Sequence, residues 1–340
     1  MSKNIQVLGD PNNKKFCSSD IIISNLNKAA KKIGIYSEDG YKIVYDCIGN
    51  HHGHNPDAMI IVYEMIFPHF ILTNSYPRPI FGVSRDNLQF ILDSGYPSKL
   101  ADYFHLGVDS KIWSFKEKKS KEKFTFLGIG ESNSRGGLEL IVQSFCKEFR
   151  NSKSIILYIR DRSAHPTFKA WVQSKASEYQ VEIVHDDRHL EDFEEEKNIY
   201  YNSDAAICLN KTSTWNLRTI ECMSSGTPLV VIPYSGPRDY TTDKFSALHV
   251  DYSLEFFTEN DINQLDSIGL RNHLFHPSSC AKLPKWSMPN EDSARKKMRE
   301  IVEDKSLRER ISYFGSIEAQ KFTWEKSAIN LHYAINNILL

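Results

Sequence analysis

The chain has 340 residues, a formal net charge of −1 and 41% hydrophobic residues. That is enough for about two globular domains with sizeable cores. It excludes a strong field for nucleic acid or an anionic membrane, and no run reaches the roughly 18 apolar residues of a membrane span. The six cysteines are scattered without CxxC spacing, which argues for free thiols in a reducing compartment. The first residues carry no apolar signal core, so a cytoplasmic location is expected.

Residues 5–8 predict a first strand and residues 20–33 a helix, in which Ile22, Leu26, Ala29 or Ala30, and Ile33 keep helical spacing before Gly34. Residues 42–47, 58–63 and 79–83 read as further strands, which makes the first 115 residues a compact but short α/β unit. His51, His52 and His54 share one loop. They lack the i, i+4 spacing of a helical metal pair and no cysteine or carboxylate cluster accompanies them, so a solvated or cleft-lining loop is the better reading. The mixed charge run at 116–123 reads as a solvated linker.

Residues 124–129 restart the α/β pattern. A glycine-rich turn with Gly130, Arg135, Gly136 and Gly137 follows, then a helix at 138–149. Such a turn can cradle a diphosphate through backbone N–H groups, with Arg135 supplying charge; the alternative is a surface arginine on a turn. Residues 154–159 and 181–184 are strands. Arg160 ends the first, either as an anion hook or within a surface network with Asp161 and Arg162, and His185 follows the second.

Residues 201–239 hold the densest pattern. A buried strand at 205–209 leads through a polar loop into a helix at 215–224, with Leu217, Ile220 and Met223 at three-residue spacing. Gly226 and Pro228 end that helix before a strand at 229–232. This βαβ unit implies a parallel sheet with its chemistry at the carboxyl ends of the strands. Lys211, Thr212, Ser213 and Thr214 lie there, at a helix N-terminus suited to phosphate. Glu221 is placed to accept hydrogen bonds from a ribose or sugar diol. The plainer reading makes Ser213 or Thr214 an N-cap and pairs Glu221 with Arg218 on a solvated face. Residues 250–285 fit no pattern, and a terminal helix keeps Ala328, Leu331, Ile335 and Ile338 at helical spacing.

Ser203-Asp204, Trp215, Leu217, Glu221, Met223, Gly226 and Pro228 lead into Ser235-Gly236-Pro237-Arg238-Asp239-Tyr240. This series resembles the family 4 retaining glycosyltransferases of the GT-B fold. Weaker landmarks agree in order: Tyr63-Glu64, Ser84, Ser94-Gly95-Tyr96, His105-Leu106-Gly107-Val108-Asp109, Trp286 with Pro289, and Phe322-Thr323-Trp324-Glu325. The chain departs where the family's first glutamate falls on Ser213, its phosphate-binding lysine on Gly136, and the glycine after the tryptophan on Asn216.

The resemblance implies an α/β GT-B fold of two Rossmann-like domains facing a cleft. Residues 1–115 would form a shortened acceptor-side domain, 116–123 the linker, 124–324 the nucleotide-sugar-binding domain, and 325–340 a helix crossing back. It implies retaining, metal-independent transfer from a nucleoside-diphosphate sugar to an acceptor hydroxyl, with no other cofactor. The acceptor stays open among a glycan, a lipid-linked sugar, a protein and a modified base, and peripheral membrane contact stays open with it. Arg135, Ser213 and Glu221 are the catalytic candidates. Gly130, Gly136, Gly137, Arg160, His185, Lys211, Thr212, Thr214, Trp215, Asn216 and Leu217 are donor-side candidates. His51, His52, His54 and Glu64 are acceptor-side candidates. The replacements at Ser213 and Gly136 motivate an alternative, a catalytically inactive GT-B-like protein that binds a nucleotide sugar or glycan.

Overall fold

The computed structural model describes residues 4–8, 18–46, 59–62, 78–118, 121–133, 135–161, 166–188, 190, 193–256, 258 and 285–339. Two parallel sheets carry the architecture. The first contains β1 (Ile5–Leu8), β2 (Tyr41–Asp46), β3 (Met59–Val62), β4 (Ile80–Gly82) and β5 (Ala101–Tyr103). Their spatial order repeats their chain order, and every neighbouring pair is parallel. Helix α1 (Ser18–Lys32) follows β1 and buries Ile22, Leu26, Ala29 and Ala30, the positions that helical spacing selects. It stops at Gly34, whose φ of 78° suits a residue without Cβ. Helix α2 (Arg85–Asp93) is capped by Ser84, whose side chain accepts from Asn87 N.

The second sheet contains β6 (Phe124–Ile129), β7 (Ile155–Arg160), β8 (Glu182–Asp186), β9 (Ala205–Cys208), β10 (Leu229–Val231) and β11 (Leu248–His249). Its order is β11-β10-β9-β6-β7-β8, all parallel. Chain direction across the sheet therefore reverses between β6 and β9. Both β9 and β10 are buried at every position, as a sheet covered on both faces requires. The helices are α3 (Leu138–Glu148), α4 (Pro166–Tyr179), α5 (Phe193–Tyr201), α6 (Leu217–Ser224), α7 (Gly236–Tyr240), α8 (Glu291–Glu303), α9 (Lys305–Ala319) and α10 (Trp324–Leu339). Strands β12 (Tyr252–Phe256) and β13 (Lys285–Pro289) pair antiparallel outside both sheets. β12 lies within, and β13 begins at the end of, the stretch 250–285 where the sequence shows no pattern.

One hydrophobic cluster spans both halves, joining Ile5, Val7, Leu26 and Phe81 to Leu127, Ala206, Trp215 and Met223. Helix α10 contributes Ala328, Leu331, Ala334 and Ile335 to it and lies against α1, where Lys32 pairs with Glu325. Trimming the fully buried Leu331 to Ala would cost about 2–5 kcal/mol and loosen that docking.

Within the charge run at 116–123, where Lys116, Glu117, Lys121 and Glu122 are exposed, Lys118 is held by the second half. Lys118 Nζ donates to Tyr200 O and to Thr227 Oγ1, each at 2.7 Å. Burial pushes this amine down to about 8. Lys116 N donates to Ser225 O at 3.3 Å. The mixed charges hide a lysine whose stem and head are held by the second half.

Candidate functional site

In an open parallel sheet the ligand crevice lies where neighbouring strands send their chains in opposite directions. Here that point is the pair β6 and β9. The turn after β6 and the loop after β9 lie against each other, and Lys211 N donates to Arg135 O at 2.9 Å. Gly137 makes the approach possible: its φ is 74°, and a Cβ there would sit 2.2 Å from Leu209 O.

The turn after β6 is closed on itself. Asn133 Oδ1 accepts from Arg135 N at 3.1 Å and from Gly136 N at 2.8 Å. Those two N–H groups, expected to cradle a phosphate, are already occupied. A Cβ on Gly136 would lie 2.2 Å from Glu131 O, so no lysine fits this backbone. Arg135 Nη2 is bonded to Glu131 Oε2 at 3.1 Å, and Asn133 Nδ2 donates to the same oxygen at 2.8 Å. Burial raises the Glu131 carboxyl, but Arg135, the Asn133 amide and Arg218 outweigh it and hold the acid below its ordinary value. Any anion reaching Arg135 would have to compete with Glu131 for it.

The loop after β9 is held from three sides. Thr212 and Thr214 are buried, while Ser213 is partly exposed. The Lys211 carbonyl accepts from Ser287 N at 2.9 Å and Ser287 Oγ at 2.6 Å, and its ammonium sits 4.1 Å above the Trp286 ring. The helix cap is neither Ser213 nor Thr214. Asn216 caps α6 with φ 65°, its side chain accepting from Thr219 N at 3.4 Å and donating to Cys208 Sγ at 3.2 Å. This left-handed position accounts for asparagine standing where the resembling family has glycine. Leu217 is buried as the first helical residue.

Trp215 is fully buried. Its ring stacks on His105 at 5.2 Å and meets Tyr240 and Phe322 edge-on at 5.1 and 5.4 Å. The indole thus knits the two halves together.

Glu221 is 8% exposed and lines a cavity of about 370 Å³ between the halves. The size falls in the range of small-ligand pockets, about 300–1,000 Å³. Trp113, Phe193 and Trp324 form aromatic walls, and α1 adds Asp20, Asn25 and Lys28. Glu221 is thus a buried carboxylate at the wall of a half-open cleft rather than a side chain on a fully solvated face. Ser213 and the glycine turn do not line this cavity.

Arg160 and His185 are also buried rather than displayed. Arg160 Nη1 donates to Asp186 O at 3.2 Å, and His185 Nε2 lies 3.4 Å from Asp161 Oδ2. The surface network read for Arg160 is replaced by one beneath the sheet's carboxyl edge. Arg188 closes it with two bonds to Asp186 at 2.9 Å and holds that carboxyl far below its ordinary value. His51, His52, His54 and Glu64 lie outside the described residues.

Two residues of this site escaped the sequence reading as ligand groups. Glu131 anchors the glycine turn, and Arg218 lies in the first turn of α6, beside a small space with Ile129, Arg160, Glu196 and Tyr200. A cation at a helix N-terminus opposes the helix dipole, and that misfit is the signal the sequence offered. Among the described residues no cluster of His, Cys, Asp and Glu could hold a metal ion, and no helix is long and apolar enough to cross a membrane.

No protein-family model matches the sequence, and no curated protein matches it. Solved structures do. A sucrose-phosphate synthase from Thermosynechococcus elongatus is 11% identical, with 99% of each chain covered and a TM-score of 0.64. A glycosyltransferase from Rickettsia africae is 11% identical over 100% of this chain and 99% of its own, with a TM-score of 0.63. HepE of Anabaena, crystallised with UDP and glucose, is 9% identical over 96% of this chain and 84% of its own, with a TM-score of 0.61. At these identities the likeness is one of fold alone: two α/β halves facing a cleft and a final helix crossing back, the GT-B fold.

Proposed function

We propose that the chain is a retaining glycosyltransferase that moves a sugar from a nucleoside-diphosphate sugar to an acceptor hydroxyl. The observation that carries this reading is the reversal between β6 and β9, with two loops meeting at the crevice and Glu221, on the helix that follows the second loop, lining an inter-half cavity. The fold likeness to proteins crystallised with UDP supports a nucleoside diphosphate there. Three described cysteines are free thiols, which supports a reducing, cytoplasmic setting.

In such a transfer, negative charge grows on the leaving diphosphate, so cations fixed in advance lower the barrier most. Arg135 and Arg218 flank Glu131 and supply that charge without a metal. The diphosphate displaces the Glu131 carboxylate from Arg135. Glu221 accepts hydrogen bonds from the ribose diol, while the aromatic walls exclude water. The leaving phosphate itself takes the acceptor proton, and Ser213 faces the sugar with a hydroxyl rather than a carboxylate.

The test is a calorimetric titration with UDP, GDP, ADP and CMP, with and without magnesium. One diphosphate should bind equally in both, and Glu221→Gln should weaken it. No binding by any nucleotide overturns the proposal. A second reading, a binding protein without turnover, is favoured by one observation: the Gly136 backbone has no room for a lysine. Nucleotide-sugar hydrolysis separates the two, since an intact transferase passes some sugar to water and an inactive one passes none.

A further inference from the structure

Helices α2 and α7 belong to different halves, yet each completes the other's N-terminus. Asp239 of α7 accepts from Arg85 N, the first amide of α2, at 3.0 Å. Asp86 of α2 accepts from Ser235 N, just ahead of α7, at 2.9 Å. Side chains reinforce the exchange: Arg238 Nη1 lies 3.3 Å from Asp86, Arg85 Nε 3.5 Å from Asp239, and His105 Nε2 3.0 Å from Asp239. Parting the halves would strip partners from two helix-end amides and one carboxylate that is only 2% exposed.

Helix α7 in turn carries the loop after β9. Gly236 N donates to Ser213 O at 3.3 Å, and Tyr240 Oη donates to Trp215 O at 3.0 Å. A Cβ on Gly236 would lie 2.4 Å from Trp215 Cα, so the two backbones touch. Ser235 holds φ 58° and ψ −131°, a backbone state costly for a residue with Cβ, and its N–H is the one Asp86 grips.

We propose that Asp86 and Asp239 are positioning residues: through α7 they let the first half set the conformation of the Ser213–Trp215 loop. A movement of α2 reaches that loop through two hydrogen bonds and one backbone contact. The consequence for catalysis rests on the donor-site reading above; the mechanical link does not.

The experiment is amide hydrogen exchange of the whole protein, compared among wild type, Asp86→Ala, Asp86→Asn and Asp239→Asn. In Asp86→Ala the peptide covering residues 212–217 should exchange at least fivefold faster, although residue 86 touches none of it. Asp86→Asn keeps an acceptor for Ser235 N and should restore slow exchange. Peptides of α8 should not change in any variant. Wild-type exchange at 212–217, with acceleration confined to residues 84–88, overturns the proposal. If Asp239→Asn does not fold, the Asp86 pair decides alone. Where wild type hydrolyses a nucleotide sugar, Asp86→Ala should lower kcat about tenfold with nucleotide affinity within twofold. Where wild type hydrolyses nothing, the transferase reading gives way to the binding-protein reading, and the exchange result still stands or falls by itself.

Discussion

The two parallel sheets solve different problems with the same strand type. In the first, five strands follow one another across the sheet and the chain never reverses its direction of travel. In the second, travel reverses between β6 and β9, and the two loops leaving those strands are forced together. A crevice exists only where neighbouring connections part to opposite faces. The second sheet therefore builds the site, while the first supplies a wall, through α1, and a grip, through α2.

The largest expected effect pits one glycine of each half against the other. Gly137 and Gly34 share a left-handed φ, but Gly137 abuts Leu209 O whereas Gly34 has nothing within 4 Å. Gly137→Ala should lose about 3–5 kcal/mol of stability, because backbone on both sides must move. Gly34→Ala should lose only about 1–2 kcal/mol, the backbone term alone. Equal shifts in urea midpoint would mean that the crevice is no tighter than an ordinary helix end.

Glu221→Gln sharpens the comparison at the cavity. It should weaken nucleotide binding by about 2 kcal/mol, the worth of hydrogen bonds to a charged group, or roughly 30-fold by calorimetry. A variant in the wall from α1, Asn25→Ala, should leave nucleotide affinity within a few-fold. Arg218→Ala should weaken diphosphate binding about tenfold with melting temperature unchanged or slightly raised, since it removes a cation from a helix N-terminus. A large loss of stability instead would assign Arg218 to the fold.

The smallest effect concerns pH. Glu131 and Asp186 both lie in the second half with folded pKa values below their ordinary ones. Each therefore contributes stability that is complete above about pH 5 and is lost as pH falls through the ordinary value to the lowered folded one. Urea midpoints should decline below about pH 5, and less steeply in Glu131→Gln. An unchanged slope would remove Glu131 from the account.

The middle of the second sheet was legible in the sequence because β9 and β10 are short, wholly apolar runs flanked by polar residues or proline, and β6 and β7 are apolar but for one or two residues. β6 begins at Phe124 and ends at Ile129, where hydrophobicity alone puts it. The cap of α6 was not legible: it depends on Asn216 entering the left-handed region, which a serine-threonine loop just before it obscures. The pairing of Arg135 with Glu131 was hidden for a similar reason. Spacing showed a cation in a glycine turn, but Asn133, which folds that turn back on itself, carries no such signal. Arg160 looked exposed because charge usually is; its partner Asp186 comes from the next strand. The clasp between Asp86 and Asp239 joins residues 153 apart in number, and no local pattern encodes such a meeting.

The packing of α10 on α1 has a consequence for the order of synthesis. On the ribosome α1 is made early, and the helix that covers it emerges only after the second sheet is complete. Until then Ile22, Leu26 and their neighbours have no lid, and the nascent first half waits unfinished while the second can already fold. A chain halted before Leu331 would leave the buried face of α1, and the second-half residues of the same cluster, without the α10 side chains that complete it.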